Sequence, residues 1–178
     1  MKTTGGHCKR IFCAMMLVVL VATSGCANYK LGSTLAENLR DVYVPNVRNE
    51  SGQPGVEIEV TKAIQREIQR EGTLRLVSQD RASARLDVVI VSYDQNSIRL
   101  NNNNTDKTKE YRMVLKAEVT FTDLNAKDPG KAVIVQNVSE GDTTFIGGTD
   151  TITSRQRNLP VVAEDLAKRI VEDCISAW

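Results

Sequence analysis

Residues 110–124 read EYRMVLKAEVTFTDL, the most regular alternation in the chain. Tyr111, Met113, Leu115, Ala117, Val119 and Phe121 share one side of a two-residue period, and Arg112, Val114, Lys116, Glu118, Thr120 and Thr122 share the other. Successive side chains of a β-strand point to opposite faces, so the pattern predicts a strand with one buried and one polar face. Upstream, residues 86–93 (LDVVIVSY) are apolar through their middle, which predicts a central strand with neighbours on both sides. Downstream, Asp128-Pro129-Gly130 supplies turn chemistry, and a further strand over 131–138 is expected to return as a hairpin. Between the central strand and this hairpin lies Asn101 to Asn104, followed by Thr105-Asp106-Lys107, a polar loop that cannot form core.

A sheet with one apolar face needs a cover, and two stretches of the chain can supply it. Pro54 and Gly72 bracket Val56, Val60, Ile64 and Ile68 at four-residue spacing, with Ala63 beside them. The last stretch, residues 158–178, has Pro160 near its expected first turn and puts Val162, Ala163, Leu166, Ile170 and Cys174 on one stripe. Both read as amphipathic helices. Residues 41–47 (DVYVPNV) suit a strand that Pro45 confines to an edge or end, and residues 74–77 suit a short strand after Gly72. The expected fold is α+β: two helices packed on one face of a mixed four- to five-stranded sheet, in the order strand, helix, four strands, helix. Two helices with one stripe each cover one face, so the face bearing Arg112, Lys116, Glu118, Thr120 and Thr122 is left for water or a partner.

The N-terminus bears on where such a domain works. Lys2, Lys9 and Arg10 flank the start of a largely apolar run over 11–22, and small residues then lead to Thr23-Ser24-Gly25-Cys26. A basic start, a short apolar run and a small-residue cleavage site make a secretory signal, and the run falls below the about 20 residues that span a bilayer. The tetrapeptide resembles the lipobox of bacterial lipoproteins, with Thr23 where Leu is usual. That resemblance implies cleavage before Cys26, a diacylglyceryl thioether on its sulfur and an acyl group on its new amino terminus. Ala27, where Asp would favour inner-membrane retention, suggests the outer membrane. The expected organisation is a signal peptide over 1–25, a lipidated tether over 26–40 and one domain over 41–178. Fully extended, the tether reaches at most roughly 50 Å.

Removing residues 1–25 leaves 153 residues with 20 basic and 22 acidic side chains, a net charge of −2. There is no basic excess for a nucleic-acid partner. Cys8 and Cys13 leave with the signal and Cys26 is acylated, so Cys174 has no partner for an intramolecular disulfide. The only histidine, His7, leaves too, which excludes triads and zinc sites that need one. Gly147-Gly148-Thr149-Asp150 is followed by no lysine-bearing helix start and is not a phosphate cradle. Asn49-Glu50-Ser51 and Asn137-Val138-Ser139 match glycosylation acceptors by coincidence in a bacterial lipoprotein. Cys174 reads as a packed thiol and Trp178 as a helix-end packing residue. No carboxylate carries a signature for acid-base work, so neither an enzyme nor a cofactor is expected.

The lipobox, the short aromatic segment Asn28-Tyr29-Lys30-Leu31-Gly32, Tyr43-Val44-Pro45, Asn49 ahead of Pro54-Gly55-Val56-Glu57, and the later Glu110-Tyr111-Arg112 resemble the lipopolysaccharide-assembly lipoprotein family, LptE-like, in order and spacing. The resemblance implies a domain inside the lumen of an outer-membrane β-barrel, the LptD-like lipopolysaccharide translocon, that helps the barrel assemble and binds lipopolysaccharide. Under it, Arg112 and Lys116 would meet lipopolysaccharide phosphates, while Glu118, Thr120, Thr122 and the Asn101 to Asn104 loop would face a polar lumen. A periplasmic adaptor or secretion-channel lipoprotein, which would form rings, is the other reading of the same elements.

Overall fold

The computed structural model describes residues 39–100, 109–147 and 151–176. Within them run β1 (Asp41–Tyr43), β2 (Arg48–Asn49), α1 (Val56–Glu71), β3 (Arg75–Leu76), β4 (Ala84–Leu100), β5 (Lys109–Asp123), β6 (Val133–Gly147) and α2 (Thr151–Ser176). The sheet order is β3-β1-β4-β5-β6, with β2 also paired to β4. The three short strands pair in parallel and β4, β5 and β6 pair antiparallel, so the sheet is mixed with β4 at its centre.

Met113, Leu115, Ala117, Val119 and Phe121 are fully buried, every second residue of β5. They join one core with Leu86 and Ile90 of β4 and the stripes of both helices: Val56, Val60, Ala63, Ile64 and Ile68 of α1, and Val162, Ala163, Leu166, Ile170 and Cys174 of α2. Burying each large aliphatic or aromatic side chain is worth about 1.5–3 kcal/mol, which is what holds the helices to the sheet. The helices lie side by side on the same face, and Arg66 of α1 meets Glu164 of α2 at 3.2 Å. The α+β arrangement is the one expected, with both helices on one face.

The turn into α1 is built by two residues of the family-like motif. Asn49 accepts from Ser51 N at 3.0 Å and donates to Gln53 O at 2.8 Å and to Glu57 Oε2 at 2.7 Å. Glu57 Oε1 also accepts from Gly55 N at 3.3 Å, a carboxylate at the positive end of the helix. At the other end, Gly72 takes φ 80°, which a side chain would oppose, and its N–H closes the last turn on Ile68 O.

Four expected boundaries shift, each for a physical reason. Residues 41–47 are not one strand: the ladder stops at Tyr43, Val44 and Val47 turn into the core around Pro45, and pairing resumes at Arg48, so the sheet has six strand segments. β4 runs past Tyr93 to Leu100 because a bulge between Ile90 and Ser92 flips its phase, so that Tyr93 rather than Ser92 packs against the core. β6 continues nine residues beyond Val138 to Gly147, and Phe145 stacks on its register partner Tyr111 with ring centroids 5.7 Å apart. α2 begins at Thr151, so Pro160 lies inside the helix rather than in its first turn. An interior proline costs a backbone hydrogen bond, roughly 3 kcal/mol. Tertiary contacts hold the segment before it: Leu159 packs on the core, and Arg155 Nε donates to Gln95 Oε1 at 3.0 Å.

Candidate functional site

The side of β5 turned away from the helices carries all five residues singled out on it. Arg112 and Glu118 are exposed, Lys116, Thr120 and Thr122 are half-buried, and all alternate with the buried row. The register sets their neighbours. On β4, Asn96, Ser92, Val89, Asp87 and Arg85 stand opposite Arg112, Lys116, Glu118, Thr120 and Thr122. On β6, Thr144, Glu140, Val138 and Gln136 stand opposite Arg112, Lys116, Glu118 and Thr120. The result is a three-strand face of hydroxyls, amides and charges.

Three of its cations are paired within the face, while Glu118 meets no cation among the described residues. Arg112 meets Asp142 at 3.1 Å, Lys116 meets Glu140 at 3.2 Å, and Arg85 Nε meets Asp87 at 2.7 Å. Asp142 also reaches Arg169 of α2 at 3.5 Å, and Arg169 meets Asp165 at 3.1 Å. Exposed ion pairs of this kind are worth about 0–1 kcal/mol, so a phosphate could take either cation from its carboxylate at small cost. The two cations foreseen as phosphate contacts are thus on one face, but neither stands without a carboxylate.

Farther along β5 the face hollows into a groove of about 410 Å³ lined by Glu118, Val119, Thr120, Gln136, Asn137 and Val138. Val89 on the same face is nearly buried while standing outside the main core cluster. A second depression of about 320 Å³, lined by Pro45, Asn46, Arg48, Arg85, Asp87 and Val88, fills the gap that Pro45 leaves between β1 and β2. Sequence reasoning missed Glu140 and Asp142, because the β6 strand was expected to end before them. The signal that could have found them is the charge at alternate positions 140 and 142, in step with Gln136 and Val138. Cys26 and the Asn101 to Asn104 loop lie outside the described residues. Among the described residues, no helix is long and apolar enough to cross a membrane, and no cluster of metal-ligating side chains occurs.

The sheet is thus covered by helices on one side and rich in hydrogen-bonding groups on the other. The chain belongs to the lipopolysaccharide-assembly family LptE, which it matches over residues 39–175. That family is one of assembly rather than catalysis, and membership ties the chain to the lipopolysaccharide-transport machinery of the Gram-negative envelope. Among solved structures, a hypothetical protein from Chlamydia trachomatis is similar with a TM-score of 0.56 at 12% identity, over 77% of this chain and 96% of that one. A homolog of a neuraminyllactose-binding hemagglutinin from Helicobacter pylori gives 0.52 at 10% identity, over 80% and 86%. A candidate lipoprotein from Caulobacter crescentus gives 0.50 at 10% identity, over 74% and 88%. At such identities the likeness is one of fold alone. No curated protein matches the chain.

Proposed function

We propose that this chain is an outer-membrane lipoprotein, anchored through Cys26, that plugs the LptD-like lipopolysaccharide translocon barrel, helps it assemble and binds lipopolysaccharide for delivery to the surface. It catalyses no reaction in this role. The observation that carries the reading is the uncovered face of β4, β5 and β6. Large outer-membrane barrels have polar interiors, and a plug must offer them hydrogen bonds without stranding charge. Thr120, Thr122, Gln136, Asn96 and Thr144 offer such bonds, and Arg112 and Lys116 are each paired with a carboxylate of β6.

For the ligand, Arg112 and Lys116 lie four residues apart on one side of β5, roughly 13 Å at strand spacing, and can exchange their carboxylates for phosphate oxygens. The anchor keeps the domain at the membrane that holds the barrel, since two or more acyl chains give stable attachment. Depleting the chain from its own cell tests the proposal. Lipopolysaccharide should vanish from the outer leaflet while the barrel fails to mature; undiminished surface lipopolysaccharide after complete depletion contradicts it. Cys26→Ala should abolish palmitate incorporation, and equal labelling would remove the anchor from the account.

A further inference from the structure

The two edges of the sheet are finished differently. On one side the outermost pieces, β2 and β3, are two residues each; on the other, β6 offers fifteen. A long outer strand presents a row of unpaired amides and carbonyls, which proteins blunt with lysine, proline or a covering element. β6, reading VIVQNVSEGDTTFIG, contains neither lysine nor proline.

One amide of the row is covered. Asp142 N donates to Asp165 Oδ2 of α2 at 3.0 Å, which means that it points away from β5. Antiparallel ladders alternate, so the amides of Gln136, Val138 and Glu140 point outward too. On the other side of the same segment, Asp173 of α2 holds Asn137 Nδ2 at 2.8 Å and Ser139 Oγ at 3.0 Å. The strand is therefore fixed in place, and among the described residues no backbone hydrogen bond reaches its outer edge below Asp142. Val133 and Val138 are 46% and 60% exposed along it, and the groove beside Glu118 and Thr120 adjoins Gln136 and Val138.

We propose that the edge of β6 over residues 133–140 is a docking site for an extended segment of the barrel partner, one standing outside its closed ladder, which adds to the sheet as a seventh strand. The inference rests on the plug reading. A bare row of amides and carbonyls is satisfied along its length by another strand. The wall of a closed barrel has no edge to lend, so the segment comes from a loop or a strand not built into the wall. Size argues against a second copy of this chain. Eight residues make an edge roughly 27 Å long, too little for the roughly 1,200 Å² that a stable pair of separate proteins buries. A segment of a barrel already surrounding the domain pairs at high effective concentration and needs no such area.

The test uses the full-length lipidated chain and the barrel recovered with it. Val138→Pro removes one outward amide, and Val138→Lys sets a charge beside the edge; neither touches a bond to β5. Ile58→Lys, on an exposed position of α1, is the control. Each Val138 variant should lower recovered barrel about tenfold with Ile58→Lys unchanged, and hydrogen exchange over residues 136–140 should slow at least about tenfold in the wild-type complex. If Val138→Pro does not fold, Val138→Lys and the exchange data decide. Barrel recovered undiminished, with those amides exchanging as fast in the complex as in the chain alone, overturns the docking site and leaves the plug reading standing. Protection of the same amides in a dimer of the chain alone assigns the edge to a second copy and also overturns it. Failure of the wild type to bring any barrel removes both.

Discussion

Gly141 of β6 lies directly beneath the backbone of Leu166 in α2: a Cβ on Gly141 would stand 2.5 Å from Leu166 N and 2.7 Å from its Cα. Real Cβ atoms do not approach backbone so closely, so the helix rests on this strand because residue 141 has no side chain. Gly141→Ala must push α2 outward and loosen Leu166, Ile170 and the rest of its stripe. Overpacking of this kind costs about 1–3 kcal/mol, a fall in Tm of roughly 3–10 °C for a domain of this size. A thermal melt measures it, and an unchanged midpoint would show that α2 does not sit this close.

Glu57 is held below the usual carboxylate range by its own backbone amide first and then by the Asn49 side chain, against an opposing effect of burial, with Gly55 N–H adding least. A carboxyl whose folded pKa is lowered adds stability that is present above the unfolded value of about 4.3 and is lost as pH falls through the folded one. The group is largely solvated, so the effect is small. The stability gap between wild type and Glu57→Gln should narrow on going from about pH 6 to about pH 3. A gap that widens over that range contradicts the clasp at the start of α1.

Burial, with a smaller contribution from Asp173, pushes the Cys174 thiol up to about 12. The thiolate is the reactive form, so Cys174 should resist iodoacetamide in the native protein at neutral pH and react once denaturant unfolds it. A chain of residues 27–178, which carries Cys174 as its one cysteine, makes the count unambiguous. Rapid native labelling would mean that the stripe of α2 is not sealed.

Arg112→Glu together with Lys116→Glu should leave the fold intact, because both side chains are about half-exposed and lie on the face away from the core. The reversals set like charge against Asp142 and Glu140 and turn attraction for phosphate into repulsion. Binding to purified lipopolysaccharide should fall roughly tenfold at low salt and less at high salt, where exposed charges are screened. Equal affinity at low salt would remove this pair as the ligand contact.

Much of the architecture is legible in the chain because its apolar residues keep period wherever packing is regular. Met113 to Phe121, Val56 to Ile68 and Val162 to Cys174 are all buried where their spacing puts them. Legibility ends where tertiary structure breaks the period. The bulge at Ile90 shifts β4 out of phase, so Tyr93 and Gln95 no longer continue the pattern of Leu86 and Val88. Gly141 looks like the end of a strand, yet it is there because a helix backbone passes over it. Pro160 looks like a helix start, yet Arg155 and Leu159 are held from outside the helix. The polar side of the site is legible on β5 alone; its partners Glu140 and Asp142 become visible only once β6 is known to continue past Val138.

The plug reading is tested most directly by purifying the full-length chain from the envelope of its own cell in mild detergent and asking what comes with it. The account predicts a single large β-barrel in equimolar amount, with the hydroxyl-rich face of β5, Thr120 and Thr122 included, protected from labelling. Recovery of the chain alone, or as a ring of its own copies with no barrel, would contradict it.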